Sequence, residues 1–160
     1  TLSDNGAKDL IISVLNQSYI NQLFDLVSIV DPSESQKYEV SSRKYAHFLN
    51  ILYGSSYLNE DHSELLLGML AESTFKDGIA GGVPKGVGVA HKFGIYQFEE
   101  KTDDASKFTT QLHDCGVIYH EKPYIFCFMT KGKDEKALYN VISSVSRMVY
   151  EYQEKHNNPN

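Results

Sequence analysis

The chain holds 160 residues, 41% of them hydrophobic and 22% charged, a balance that excludes a disordered tail, a collagen-like repeat and a disulfide-dense mini-protein. Its 15 basic and 21 acidic side chains leave a formal charge of −6, which argues against a protein that tracks nucleic-acid phosphates. No apolar run approaches the roughly 20 residues needed to span a bilayer; the most lipid-like stretch, Tyr124 to Met129, is strand-sized.

In chain order, Ser3 to Leu15 reads as a loop feeding an amphipathic helix, with Leu10, Ile11, Val14 and Leu15 at helical spacing. Ile20 to Val30 is apolar with weak periodicity and reads as a second helix, followed by a polar, proline-broken loop over Asp31 to Gln36. Ser41 or Ser42 is an N-cap for a helix carrying Tyr45, Phe48, Leu49 and Leu52, which Gly54-Ser55-Ser56 ends. Asp61 and Glu64 form a capping arrangement for a helix over Ser63 to Glu72, with a stripe of Leu66, Leu67 and Leu70.

The text then becomes β-rich. Gly78 to Gly94 holds six of the 11 glycines, and Val87 to Phe98, Leu112 to Tyr119 and Tyr124 to Thr130 read as strands. Glu99 to Lys107 reads as a charged, solvated excursion, and His120-Glu121-Lys122-Pro123 as a hairpin turn. A final helix starts at Gly132-Lys133-Asp134, with Ala137, Leu138, Val141, Ile142, Val145, Met148, Val149 and Tyr152 as its apolar stripe. Helices first and then a meander closed by a helix define an α+β fold. The division is a helical region over 1–76 and antiparallel strands with a C-terminal helix over 77–160. Three strands and one covering helix make a thin sheet, so the fold reads as incomplete at the N-terminus. The start at Thr1, without methionine or a visible signal peptide, reads as a processed or trimmed product.

Cys115 and Cys127 lie nearly symmetrically about the turn. Directly paired strands rarely give good bridge geometry, so two buried thiols are favoured over a disulfide. The six histidines, His47, His62, His91, His113, His120 and His156, show no metal-ligand spacing, and neither a metal nor another cofactor is expected. The eleven tyrosines and eight phenylalanines are spread along the chain as packing and interface residues.

Two short patterns carry chemistry. Ser3-Asp4-Asn5 stands at a helix start, where such a triplet is ordinarily a capping cluster. His91-Lys92-Phe93-Gly94 stands on a glycine-flanked strand, where the lysine is ordinarily an edge residue. In this order and layout they resemble the second and third motifs of the serine penicillin-recognising enzymes, Ser-x-x-Lys, Ser-Asp-Asn and Lys-Thr-Gly. Val40-Ser41-Ser42-Arg43-Lys44-Tyr45-Ala46, Gly78 to Gly86 running into Val89-Ala90-His91-Lys92, and His113-Asp114-Cys115-Gly116-Val117-Ile118-Tyr119 are similar to successive segments of class A β-lactamase-like proteins. The resemblance implies a β-lactamase/transpeptidase-like fold and an acyl-enzyme reaction on a β-lactam or cell-wall peptide, outside the cytoplasmic membrane. It also implies roles. Ser3 passes a proton as the amide breaks, and Asn5 binds the substrate's side-chain amide. Lys92 places positive charge beside Ser3. Gly94 permits close approach, and the Ile95 N–H is one oxyanion donor.

The sequence departs from that pattern in three places. Only Thr1 and Leu2 precede Ser3, so no nucleophile motif stands where the family has one. Ser41-Ser42-Arg43-Lys44 and Ser73-Thr74-Phe75-Lys76 lie elsewhere, and the second is read as a helix terminus. No residue of Leu26 to Val40 matches the deacylating glutamate, for which Glu34 and Glu39 are the candidates. Phe93 replaces the hydroxyl residue that would bind a substrate carboxylate. Two alternatives stand beside the hydrolase: a degenerate, non-catalytic binding module of the same fold, and an unrelated α+β interaction domain. A sheet lacking strands is also expected to associate with a second copy or with a missing N-terminal segment.

Overall fold

The computed structural model describes residues 4–26, 40–102 and 105–157. Asp4 opens the first helix, α1 (Asn5–Val14), its carboxylate accepting from the N–H groups of Gly6 at 2.8 Å and Ala7 at 3.4 Å. The second, α2 (Gln17–Leu26), begins three residues before the expected segment. The expected loop over Asp31 to Gln36, with Glu34 and Glu39, lies outside the described residues. Ser41 caps α3 (Ser42–Tyr53) by accepting from the Lys44 N–H at 3.3 Å.

The helix α4 (Glu60–Ala71) starts earlier than the Asp61–Glu64 pattern implies. Asn59 caps it, accepting from the His62 N–H at 2.9 Å, while Glu60 and Asp61 lie in the first turn, where negative charge suits the helix dipole. Its inward face also differs: Ser63 and Leu67 are buried and Leu66 is exposed. A one-turn helix, α5 (Ile79–Gly82), leads into the sheet.

The sheet has the order β1-β2-β3, all antiparallel, formed by β1 (Gly88–Thr102), β2 (Ala105–Tyr119) and β3 (Tyr124–Gly132). The segment expected to be a solvated excursion, Glu99 to Lys107, is instead the far part of a long β1–β2 ribbon that pairs as far as Thr102 opposite Ala105. Backbone ladder bonds do not require apolar side chains, so charge there is no obstacle to a strand. The ribbon runs past β3, whose pairing with β2 ends at Thr110 opposite Gly132.

Strand alternation gives the sheet two covered faces. On one, Leu138 and Ile142 of α6 (Glu135–Asn157) close over Val89, Leu112, Ile118 and Phe126, with Ile79 of α5. The stripe on α6 is narrower than its sequence implies, because Val141, Met148 and Tyr152 remain exposed. Gly82 lets α5 lie against α6: a Cβ there would sit 2.3 Å from the Ser143 carbonyl oxygen, while Ser146 Oγ donates to the Ile79 carbonyl at 3.0 Å. On the other face, Leu52 of α3 and Leu67 of α4 close over Ala90 and Val117.

Cys115 and Cys127 are directly opposed in the register and joined as a disulfide, with their Cα atoms 4.0 Å apart. The expectation of two free thiols is therefore corrected: the symmetry about the 120–123 turn was the informative signal. Among the described residues, α1 and α2 make no extensive contact with the sheet or the other helices. None of those residues forms a helix long and apolar enough to cross a membrane.

Candidate active site

Lys92 lies on β1, an edge strand of the described sheet, in the row Lys92–Cys115–Cys127 on the face that α3 and α4 cover. It is half-buried. Its ammonium donates to the Phe93 carbonyl at 2.7 Å and stands 5.2 Å from the centre of the Phe93 ring. Burial lowers its pKa, and the negative charge of Asp114 opposes that shift.

Phe93 projects from the other face, where its ring stacks on Phe75 at 4.1 Å; Phe75 in turn lies 5.4 Å from Tyr139 of α6. The position that holds a hydroxyl in the related pattern is thus occupied by a ring in an aromatic cluster.

Gly94 is opposite His113, whose imidazole lies directly over it: a Cβ on Gly94 would sit 2.3 Å from both His113 Cε1 and Nε2. Glycine here is a requirement of close approach. The His113 ring is also 6.2 Å from Tyr45 of α3. Burial lowers the His113 pKa, Lys92 lowers it further, and Asp114 opposes both. Ile95 follows Gly94 and is opposite Leu112, with its side chain exposed.

Behind this strand lies a buried polar group that the sequence reading did not identify. His91 Nδ1 and Asp114 Oδ1 are 2.8 Å apart with both side chains fully buried, and Asp114 Oδ2 accepts from the Ile79 N–H at 2.8 Å. Asp114 thereby ties β1, β2 and the start of α5 together next to Lys92. The available signal was a pair of polar residues at strand positions of otherwise buried parity. His91 and His113 project from opposite faces of the sheet.

Of the other candidates, Ser3 lies outside the described residues. Asn5 is exposed as the first residue of α1, and its neighbour Asp4 is engaged as the N-cap. The sheet edge therefore brings together Lys92, Phe93, Gly94 and Ile95, while α1 makes no extensive contact with it. Ser73 is 5% exposed, and its Oγ accepts from the Phe75 N–H at 3.4 Å. Ser41, the serine of the other Ser-x-x-Lys pattern, is engaged as the α3 cap. Among the described residues no group of three or more His, Cys, Asp or Glu side chains is placed to hold a metal.

The sequence matches the β-lactamase enzyme family over residues 1–153, and the chain belongs to that family. Among solved structures, PBP-A matches with a TM-score of 0.75 and 21% identity, over 97% of this chain and 58% of its own. A β-lactamase from Sphaerobacter thermophilus matches with a TM-score of 0.72 and 17% identity, over 92% of this chain and 57% of its own. A PBP-A variant solved as an acyl-enzyme complex with penicillin G matches with a TM-score of 0.62 and 20% identity, over 86% of this chain and 52% of its own. The chain thus spans less than three-fifths of the length of these relatives, whose likeness defines a β-lactamase-like α+β fold. No curated protein matches the sequence.

Proposed function

We propose that these residues form part of the active site of a serine hydrolase that acylates itself with a β-lactam or a cell-wall peptide amide, at a site outside the cytoplasmic membrane. The observation that carries the reading is the half-buried ammonium of Lys92 beside Gly94, at a sheet edge, in a chain of the β-lactamase family. Acyl transfer develops negative charge on the attacked carbonyl oxygen, and a strand-edge N–H can meet that charge without reorganising. Ile95 supplies this donor. Lys92 attracts an anionic substrate, and the family resemblance alone gives proton transfer to Ser3 and the substrate's amide to Asn5, since α1 makes no extensive contact with this edge. Phe93 contributes a packed ring rather than a hydrogen bond to the recognition end of the cleft. The attacking serine comes from outside these 160 residues, because Ser73 is buried and engaged in a turn.

Incubation with benzylpenicillin followed by intact-mass measurement tests this. The 160-residue chain is expected to remain unmodified and the full-length protein to gain one penicilloyl adduct. An adduct on the short chain would overturn the assignment of the nucleophile and return attention to Ser73. A full-length protein that never acylates, despite an intact fold, would favour a non-catalytic binding module, a reading to which the Phe75–Phe93 stack lends support.

A further inference from the structure

On the face that α3 and α4 cover, the β1–β2 pair ends in the row Gly88–Tyr119, two rows before Lys92. There the C-terminal end of α3, one stripe of α4 and the end of β2 border a cavity of about 500 Å³. Tyr53, Glu60, Ser63, Glu64, Leu67 and Tyr119 line it, and no lysine, arginine or histidine does so among the described residues.

Several features of this cavity cost the fold something without an evident return. Glu60 and Glu64 stand four residues apart on α4, where like charges repel. The helix dipole favours Glu60 in the first turn, but Glu64 lies a turn further on and gains little from it. Ser63 is 1% exposed, and its Oγ, on the wall of the cavity, has no hydrogen-bond partner. Gly68, in the interior of α4, weakens the helix, yet a Cβ there would meet no atom within 4 Å. No close approach therefore requires this glycine, and the space it leaves open belongs to the cavity. The Tyr53 and Tyr119 rings, 6.4 Å apart and inclined at 53°, complete the wall. Burial raises the Tyr119 pKa, and Tyr53 and the charge of Glu64 raise it further, so this phenol stays neutral beside the carboxylate.

We propose that this cavity binds a primary organic ammonium ion with an apolar body, held by the Glu60 and Glu64 carboxylates, the two phenol rings and Ser63 Oγ. A cation between the carboxylates offsets their repulsion, and the ring faces attract it. A primary ammonium has three N–H donors, so it can give one to Ser63 while the others reach the carboxylates. Leu67 and the open space beside Gly68 receive the apolar body. A hard divalent cation fits less well, because two carboxylates and a hydroxyl are few oxygen ligands for calcium. The inference stands apart from the hydrolase reading, since none of these residues belongs to the edge from Lys92 to Ile95.

The test titrates the protein at neutral pH and low salt with benzylamine, which carries a primary ammonium there. Benzyl alcohol is its uncharged counterpart, and benzyltrimethylammonium is a cation without an N–H. Binding is followed through the NMR signals of α4 and of the Tyr53 and Tyr119 rings. Benzylamine is expected to shift these signals saturably and to bind about fivefold or more tightly than the alcohol. The quaternary ion is expected to bind less tightly than benzylamine, and Ser63→Ala to weaken benzylamine alone. Glu64→Gln should shrink the preference for the cation over the alcohol. Gly68→Leu fills the open space and removes a helix-weakening glycine, so it should abolish binding in a protein that remains folded. Equal affinity for benzylamine and the alcohol, or for benzylamine and the quaternary ion, would overturn the proposal. So would undiminished binding in Gly68→Leu, or displacement of benzylamine by calcium at matched ionic strength, which would make this a metal site.

Discussion

Gly94 and His113 show how little room a single position can have. A methyl group on Gly94 would meet two atoms of the imidazole at 2.3 Å, but a ring can rotate where a backbone cannot. Gly94→Ala is therefore expected to push the His113 ring off its seat at a modest cost in stability. Freed from burial, His113 should titrate closer to the ordinary histidine value of 6.5. Histidine NMR on the variant checks this, and an unmoved midpoint would mean that the ring does not depend on that seat.

Lys92 is a charge kept at a cost in stability. Its pKa is lowered in the folded chain, so folding disfavours the ammonium relative to the unfolded state. That cost is fully present at any pH below the shifted value and disappears as the pH rises past the ordinary lysine value of 10.5. Lys92→Met is expected to abolish acylation in the full-length protein. It should also stabilise the fold near neutral pH by less than about 1 kcal/mol, solvent screening having reduced the penalty. Urea midpoints measured near neutrality and again above the lysine range should show the gain shrinking, and a loss of stability at neutrality would refute the argument.

At the scale of elements, the sheet is covered unevenly. Its two faces are closed by α6 with α5 and by α3 with α4, yet the outer edge of β3 pairs with no strand among the described residues. An open edge of nine residues is a template for further pairing. The apolar side chains of α1 add to this, Leu10 and Val14 being 67% and 76% exposed. The 160-residue chain is accordingly expected to scatter light as a dimer or larger species. A well-behaved monomer of the short chain would show that neither surface drives association.

Element boundaries were legible where one residue decides them. Asp4 and the 120–123 turn stand where their side chains and backbone preferences predict, and the structure selects Ser41 from the two candidate caps Ser41 and Ser42. The far half of the β1–β2 ribbon was not, because Glu99 to Lys107 is charged and its strand character comes from a cross-strand ladder. The start of α4 was displaced because Asn59, Asp61 and Ser63 are all competent near a helix start, and the choice among them depends on which face meets the sheet.

For the molecule as a whole, order along the chain was enough to recognise the β-lactamase family and the likeness of its sheet edge to a Lys-x-Gly segment. Patterning by itself determined the start of α1, the centre of the α6 stripe at Leu138 and Ile142, and the turn that brings Cys115 and Cys127 together. These signals are local, since each arises from one side chain's hydrogen bond or from the repeat of a single element. Only the tertiary structure decided that the two cysteines are joined, that His91 and Asp114 form a buried pair tying α5 to the sheet, that Phe93 is held by Phe75, and that His113 rests on Gly94. Each of those depends on residues far apart in sequence that meet through strand register and helix packing, and such distances become short only when the chain is folded.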